Sequence, residues 1–132
     1  MDLNTLTPQK DTVEVVLTHP STGDTLFNDD KTEMTITVAL PHSEVYKKAL
    51  REQQEKRFKK ASKKGKQDFS VEEIEESTLE LLAKSTVDWD ITFNGEKPKF
   101  SASKAKELYK ELFWIRQQID EEVNTTDVFT KN

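Results

Sequence analysis

The sequence predicts an α+β fold, an N-terminal β-hairpin packed with a mainly α-helical remainder of about three helices. Three observations carry this reading. Apolar residues recur with a period of two at Val13, Val15 and Leu17 and again at Met34, Ile36 and Val38. In the second half they step by three and four, as in Ala105, Leu108, Leu112, Ile115 and Ile119. A chain of 132 residues, one third apolar and one third charged, has material for one domain with a thin core and not for two.

Residues 1–11 show no period and read as a loose N-terminal arm. The hairpin spans residues 12–40, and the stretch "HPSTGDTLFNDDKTE" between its strands, with Pro20, Gly23 and an Asp pair, is a long connection with room for a short extra strand at Leu26 and Phe27. A lone hairpin is only marginally stable in water, so a helix or a second copy must cover its apolar face.

Residues 43–124 form the helical part. Ser43 is an N-cap with Glu44 in the first turn, and a narrow stripe of Tyr46, Leu50 and Phe58 follows, interrupted by Gln54. Beyond Phe58 the lysine-rich stretch through Gly65 holds no large apolar residue, so the helix is expected to fray into a basic mobile segment over 59–68. Ser70 with Glu73 makes a capping box for a second helix with Val71, Ile74, Leu81 and Leu82 on one side. Trp89, Ile91 and Phe93 alternate ahead of Asn94-Gly95, which reads as a strand entering a tight turn or as a compact aromatic loop, since Pro98 weakens a return strand.

Ser101 or Ser103 caps the last helix, and the periodicity leaves open whether it runs unbroken through "LFWIRQQ". Residues 125–132 are a tail, polar apart from Val128 and Phe129. The expected core comprises Tyr46, Leu50, Leu82, Trp89, Phe93, Phe100, Leu108 and Leu112. Phe113 and Trp114 are adjacent and cannot both point inward from one helix face, so one of them is the candidate exposed anchor.

Catalytic chemistry has little to stand on. There is no Cys, His19 and His42 each abut a Pro, and three distant glycines make no phosphate cradle. Glu72 and Glu76 lie one helical turn apart, as in a metal site, yet carboxylates opening a helix are favoured by its dipole, and that plainer reading is preferred. Neither an enzyme nor a cofactor is expected. No apolar window approaches the ~20 residues that span a bilayer, and Met1-Asp2 does not open a signal peptide, so a soluble protein unexported by the usual route is expected.

The most conspicuous stretch is "YKKALREQQEKRFKKASKKGK". From Lys47 to Lys66 ten Lys or Arg stand against two Glu, a local charge of +8 in a chain of net charge −5. The cations point around most of a helix circumference, with only Tyr46 and Phe58 as aromatics, so a nucleic-acid grip is disfavoured. The flanks carry −6 over residues 1–46 and −7 over 67–132, enough to attract a basic segment of this chain or a neighbouring copy. Lys47, Arg51, Arg57 and Lys60 are accordingly candidates for self-association.

"LLAKSTVDWDITFNGEKPKFSASKAKELYKELFWIRQQIDEEV" resembles the C-terminal half of tail assembly chaperones of long-tailed, siphovirus-type bacteriophages. The matching positions are Trp89, Gly95, Phe100, Ser101, Ala105, Leu108, Trp114, Ile115, Arg116 and Ile119. "THPSTGD", "TITVAL" and "SEVYKKALRE" are similar to the N-terminal part, so the likeness covers residues 12–124. The family often has a Pro before the "WIR" stretch where this chain has Phe113, a departure that leaves open whether the family's helix break occurs here.

The resemblance implies a non-enzymatic chaperone that binds the phage tape measure protein and keeps it soluble until the tail tube forms. It also implies homo-oligomers, contact with the tail tube protein through a longer frameshifted product, and a location in the host bacterial cytoplasm rather than the mature virion. Phe113, Trp114, Ile115, Arg116 and Ile119 are the candidate partner-binding residues under this reading. A tail or connector component retained in the virion is the first alternative, and a small nucleic-acid-binding regulator is the second.

Overall fold

The computed structural model describes residues 2–64 and 70–129, and of residues 60–64 the backbone alone. It is a mixed α+β fold. Strands β1 (Thr12–Val16), β2 (Thr35–Ala39) and β3 (Thr86–Asp90) form an antiparallel sheet in the order β1-β2-β3. Helices α1 (Glu44–Lys64) and α2 (Val71–Ser85) stand between β2 and β3, and α3 (Ala102–Glu111) and α4 (Phe113–Thr125) follow. The N-terminal hairpin and the mainly helical remainder are as expected, with four α-helices among the described residues in place of about three.

Pairing Val13 with Val38 and Val15 with Ile36 puts the period-two residues on one face, which α2, α3 and α4 cover. That core holds Val13, Val15 and Leu17 from β1 and its extension, Ile36 and Val38 from β2 with Leu40 just after it, and Trp89 from β3 with Ile91 just after it. The helices contribute Leu79, Ala83, Ala105, Leu108, Tyr109, Ile115 and Ile119. The opposite face is polar, with Glu14, Thr37 and Asp88 in one row across the three strands.

The β1–β2 connection is more structured than a plain loop. Leu26 N–H donates to Leu17 O and Leu26 O accepts from Met34 N–H, so the expected extra strand at Leu26–Phe27 exists as bridge pairs, Thr18 with Thr25 and Phe27 with Glu33. Buried Asn28 then ties this connection to β3. Its amide donates to Thr32 Oγ1 at 3.1 Å and Asp90 Oδ1 at 3.2 Å, and its carbonyl accepts from the Thr92 hydroxyl at 2.6 Å. Lys97 lies 2.6 Å from Asp30 and 3.0 Å from Asp90 on the same knot, and its hydrogen bond holds the Asp30 carboxyl well below the usual carboxylate range.

The helix starts follow their caps. Ser43, Ser70 and Ser101 each accept from the backbone N–H three residues on, at 3.2, 3.1 and 3.1 Å. Thr86 follows Ser85 directly, so α2 passes into β3 without a loop. Asn94 and Gly95 adopt φ of 55° and 80°, the left-handed pair of a two-residue tight turn, and the return pairing ends at Glu96 ahead of Pro98. Trp89 locks this loop: its indole N–H donates to Pro98 O at 2.9 Å, and its ring meets Phe100 edge-on at 5.2 Å.

Several sequence expectations are corrected here. Trp89 and Leu108 are buried, and Leu82, Phe93, Phe100 and Leu112 pack against the core, whereas Tyr46 and Leu50 are only half-buried because α1 packs on α2 and lies off the sheet. Phe58, assigned to the same stripe, is 73% exposed. Helix α1 also continues to Lys64, past the fraying expected after Phe58, while residues 65–68 of the expected mobile segment lie outside the described residues. The N-terminal arm contains a 3-10 turn, Leu3–Thr5, capped by Asp2, and Gln9 N–H donates to Val128 O at 2.6 Å. Val128 thus packs against the core from within the expected polar tail.

Tyr109 was missing from the expected core and is fully buried. The Thr86 hydroxyl donates to Leu82 O at 2.8 Å, so in its 2.7 Å contact with Tyr109 the phenol is the donor. Burial pushes the Tyr109 phenol up to about 12 from an ordinary value of 10.0. With the folded pKa above the unfolded one, this stabilising contribution is complete below pH 10 and is lost as the pH rises towards 12. Urea midpoints measured across that window should fall, and Tyr109→Phe should flatten the decline. Trp89→Ala should cost about 3–5 kcal/mol in the same assay, whereas a cost below about 0.5 kcal/mol would mean that the indole contributes little to the core.

Candidate functional site

Helices α1 and α2 form a hairpin whose facing charges are opposite in sign. Lys56 reaches Glu80 at 3.6 Å, and Lys84 reaches both Glu52 and Glu80 at 3.5 Å. The Gln53 amide donates to Ser77 O, and Ala49 is the buried apolar seat of α1. Part of the basic run is therefore matched within the chain. On α3, Lys106 pairs with Glu76, which draws the Glu76 carboxyl down and pushes the Lys106 ammonium up. Among the described residues no group of three or more His, Asp or Glu is arranged to hold a metal ion.

Of the four candidates for self-association, Lys47 and Arg51 are exposed one turn apart on α1. Arg57 is half-buried and lines the groove between α1 and α2 with Glu72, Glu73 and Glu76, and the Lys60 side chain lies outside the described residues. Lys56, absent from the expected set, crosses to α2 to reach Glu80. Its position two residues before Phe58 gave no signal, because the basic run looks alike on every side.

The α3–α4 joint is the second feature. Leu112 has φ −117° and ψ 78°, outside the helical range, and it breaks the helix although no Pro follows. Leu108 and Tyr109 before the break, and Ile115 and Ile119 after it, all enter the core. Ile115 and Ile119, expected to face a partner, are fully committed to the interior. Arg116 is half-buried.

The adjacent aromatics separate as their neighbouring positions require. Trp114 packs partly on the core and lines a groove with the Thr18–Gly23 turn, while Phe113 is 62% exposed. Gln118 fastens the turn: Thr18 N–H donates to its Oε1 at 3.0 Å, and its Nε2 donates to Thr18 O at 2.8 Å. His19 is engaged locally, its Nδ1 accepting from Ser21 N–H at 3.1 Å, and His42 Nε2 donates to Lys10 O at 2.7 Å.

More apolar surface is open at the far end of the helical hairpin. Phe58 is joined there by Val71, 81% exposed, and by the half-exposed Ile74, both assigned by periodicity to the inner side of α2. The inner stripe of α2 begins in earnest only at Leu79, where the helix meets the sheet and α3. No helix among the described residues is long and apolar enough to cross a membrane.

The inter-helix charges are partly solvated, so they should contribute little individually. Glu80→Gln should lower stability by less than about 1 kcal/mol, with the difference shrinking in 1 M salt when urea unfolding is compared at both salt levels. A loss that high salt leaves unchanged would mean that Glu80 acts through packing rather than charge.

Comparison with protein-family models, with curated proteins and with solved structures found no match to this chain.

Proposed function

We propose that this chain is a non-enzymatic tail assembly chaperone of a long-tailed phage, one that covers apolar helical segments of the tape measure protein and keeps it soluble. The observation that carries the reading is Phe113, a large aromatic held out in solvent beside a core-anchored Trp114. An exposed aromatic on a rigid joint costs little ordering entropy when a partner covers it. The resemblance over residues 12–124 supplies the kind of partner, and the net charge of −5 suits a protein that must keep an apolar client in solution. Self-association through Lys47 and Arg51 onto acidic surfaces of a second copy, and contact with the tail tube protein, belong to the same proposal.

Co-expression with the tape measure protein of the same genome should raise its soluble yield and give a co-purifying complex. Phe113→Asp should reduce co-purification at least tenfold while leaving helix content and melting temperature nearly unchanged. If the wild-type chain neither solubilises nor retains the tape measure protein, the reading fails. Detection of the chain in purified virions by mass spectrometry would then favour a structural tail component.

A further inference from the structure

The sheet has two edges, and they are treated differently. On β3, Thr35 pairs with Asp90 and Thr37 with Asp88, so the Trp89 N–H points away from β2. That outward donor is taken up by the Asp88 carboxylate at 2.9 Å, and a bulge between Thr37 and Val38 distorts the ladder. Both are devices that keep an edge from pairing.

The β1 edge is left usable. Leu40 N–H donates to Asp11 O and Leu17 N–H to Met34 O, so odd-numbered residues of β1 bond to β2. By the alternation of an antiparallel ladder, the N–H and C=O groups of Thr12, Glu14 and Val16 point outward, and all three residues are exposed. Thr18, the next in that row, shows what the edge accepts. The Gln118 carboxamide occupies both of its backbone groups, as a neighbouring strand would.

The Gln9–Val128 hydrogen bond ties the chain down beyond the other end of the row. Between these fastenings runs a groove of about 770 Å³, with Thr12 and Glu14 on one wall and Glu122 of α4 and its C-cap Thr126 on the other. At ~3.4 Å per residue, the open row from Thr12 to Val16 pairs with about five residues of extended chain.

The charge of the groove selects the occupant. Among the described residues that line it, Asp11, Glu14 and Glu122 stand against a single base, Lys10. We infer that the β1 edge and α4 form a strand-accepting groove that takes an extended, Lys- or Arg-bearing peptide segment of a partner protein as a fourth strand. Main-chain hydrogen bonds supply the attraction, and the carboxylates on either side set the preference for cations. The inference does not use Phe113, the residue that carries the tape-measure reading, so either can fail without the other.

The test is an NMR titration of the full chain with an acetylated, amidated heptapeptide of alternating Val and Lys. Saturable binding is expected, with amide exchange at Glu14 and Val16 slowed at least tenfold. The same peptide N-methylated at its central residues loses its donors and should bind at least tenfold more weakly, a comparison that leaves the protein untouched. Glu14→Pro removes an outward N–H without breaking the ladder to β2 and should match that loss, as should the Glu14→Lys, Glu122→Lys pair. Equal binding of the methylated peptide, no saturation by about 1 mM, or shifts confined to other elements would overturn the inference. Concentration-dependent protection of Glu14 and Val16 without peptide would also overturn it, because a second copy would then be the occupant.

Discussion

Val13, Val15, Ile36, Val38, Trp89 and Ile91 lie on one side of a three-stranded sheet, and taking that side out of water governs how the rest of the chain is arranged. Helices α2, α3 and α4 meet the need, each turning one stripe towards the strands. Helix α1 is left without a place on the sheet and rests on α2. Its thin apolar seat and its crossing ion pairs are what a helix outside the core requires. Leu112 belongs to the same arrangement: the helix breaks there, Ile115 and Ile119 beyond the break are buried in the core, and Phe113 stays exposed.

Two arrangements of polar groups make this small core specific. Asn28 satisfies its amide on groups from the β1–β2 connection and from β3, so the long connection cannot shift without stranding a buried side chain. Tyr109 and Thr86 do likewise between α3 and the start of β3. With one third of the residues apolar, such fixed polar contacts settle which of several similar hydrophobic packings the chain adopts.

What the sequence made legible was local. Alternation found β1, β2 and the Trp89–Ile91 pair; serines followed three residues later by a free backbone N–H marked three helix starts; and Asn94-Gly95 marked a tight turn. What it hid was tertiary. Phe58, Val71 and Ile74 have helical spacing but no sheet beneath them, and spacing alone cannot reveal which turns of a helix overhang the core. The family resemblance makes Ile115 and Ile119 partner-facing, although their own spacing continues the stripe of Leu108 and the structure buries them. Asn28 and Tyr109 carry no local pattern, because their importance depends on partners 62 and 23 residues away.

The direct passage of α2 into β3 bears on how the molecule comes together. Setting Thr86 opposite Val38 closes a loop of about 47 residues that contains both helices of the hairpin. The entropy of that closure must be met before the third strand gains any ladder bonds. Because α2 and β3 share one uninterrupted backbone, docking the helix on the sheet delivers the strand in register. Seating α2 on the sheet through Leu79 and Ala83 therefore also places β3 beside β2.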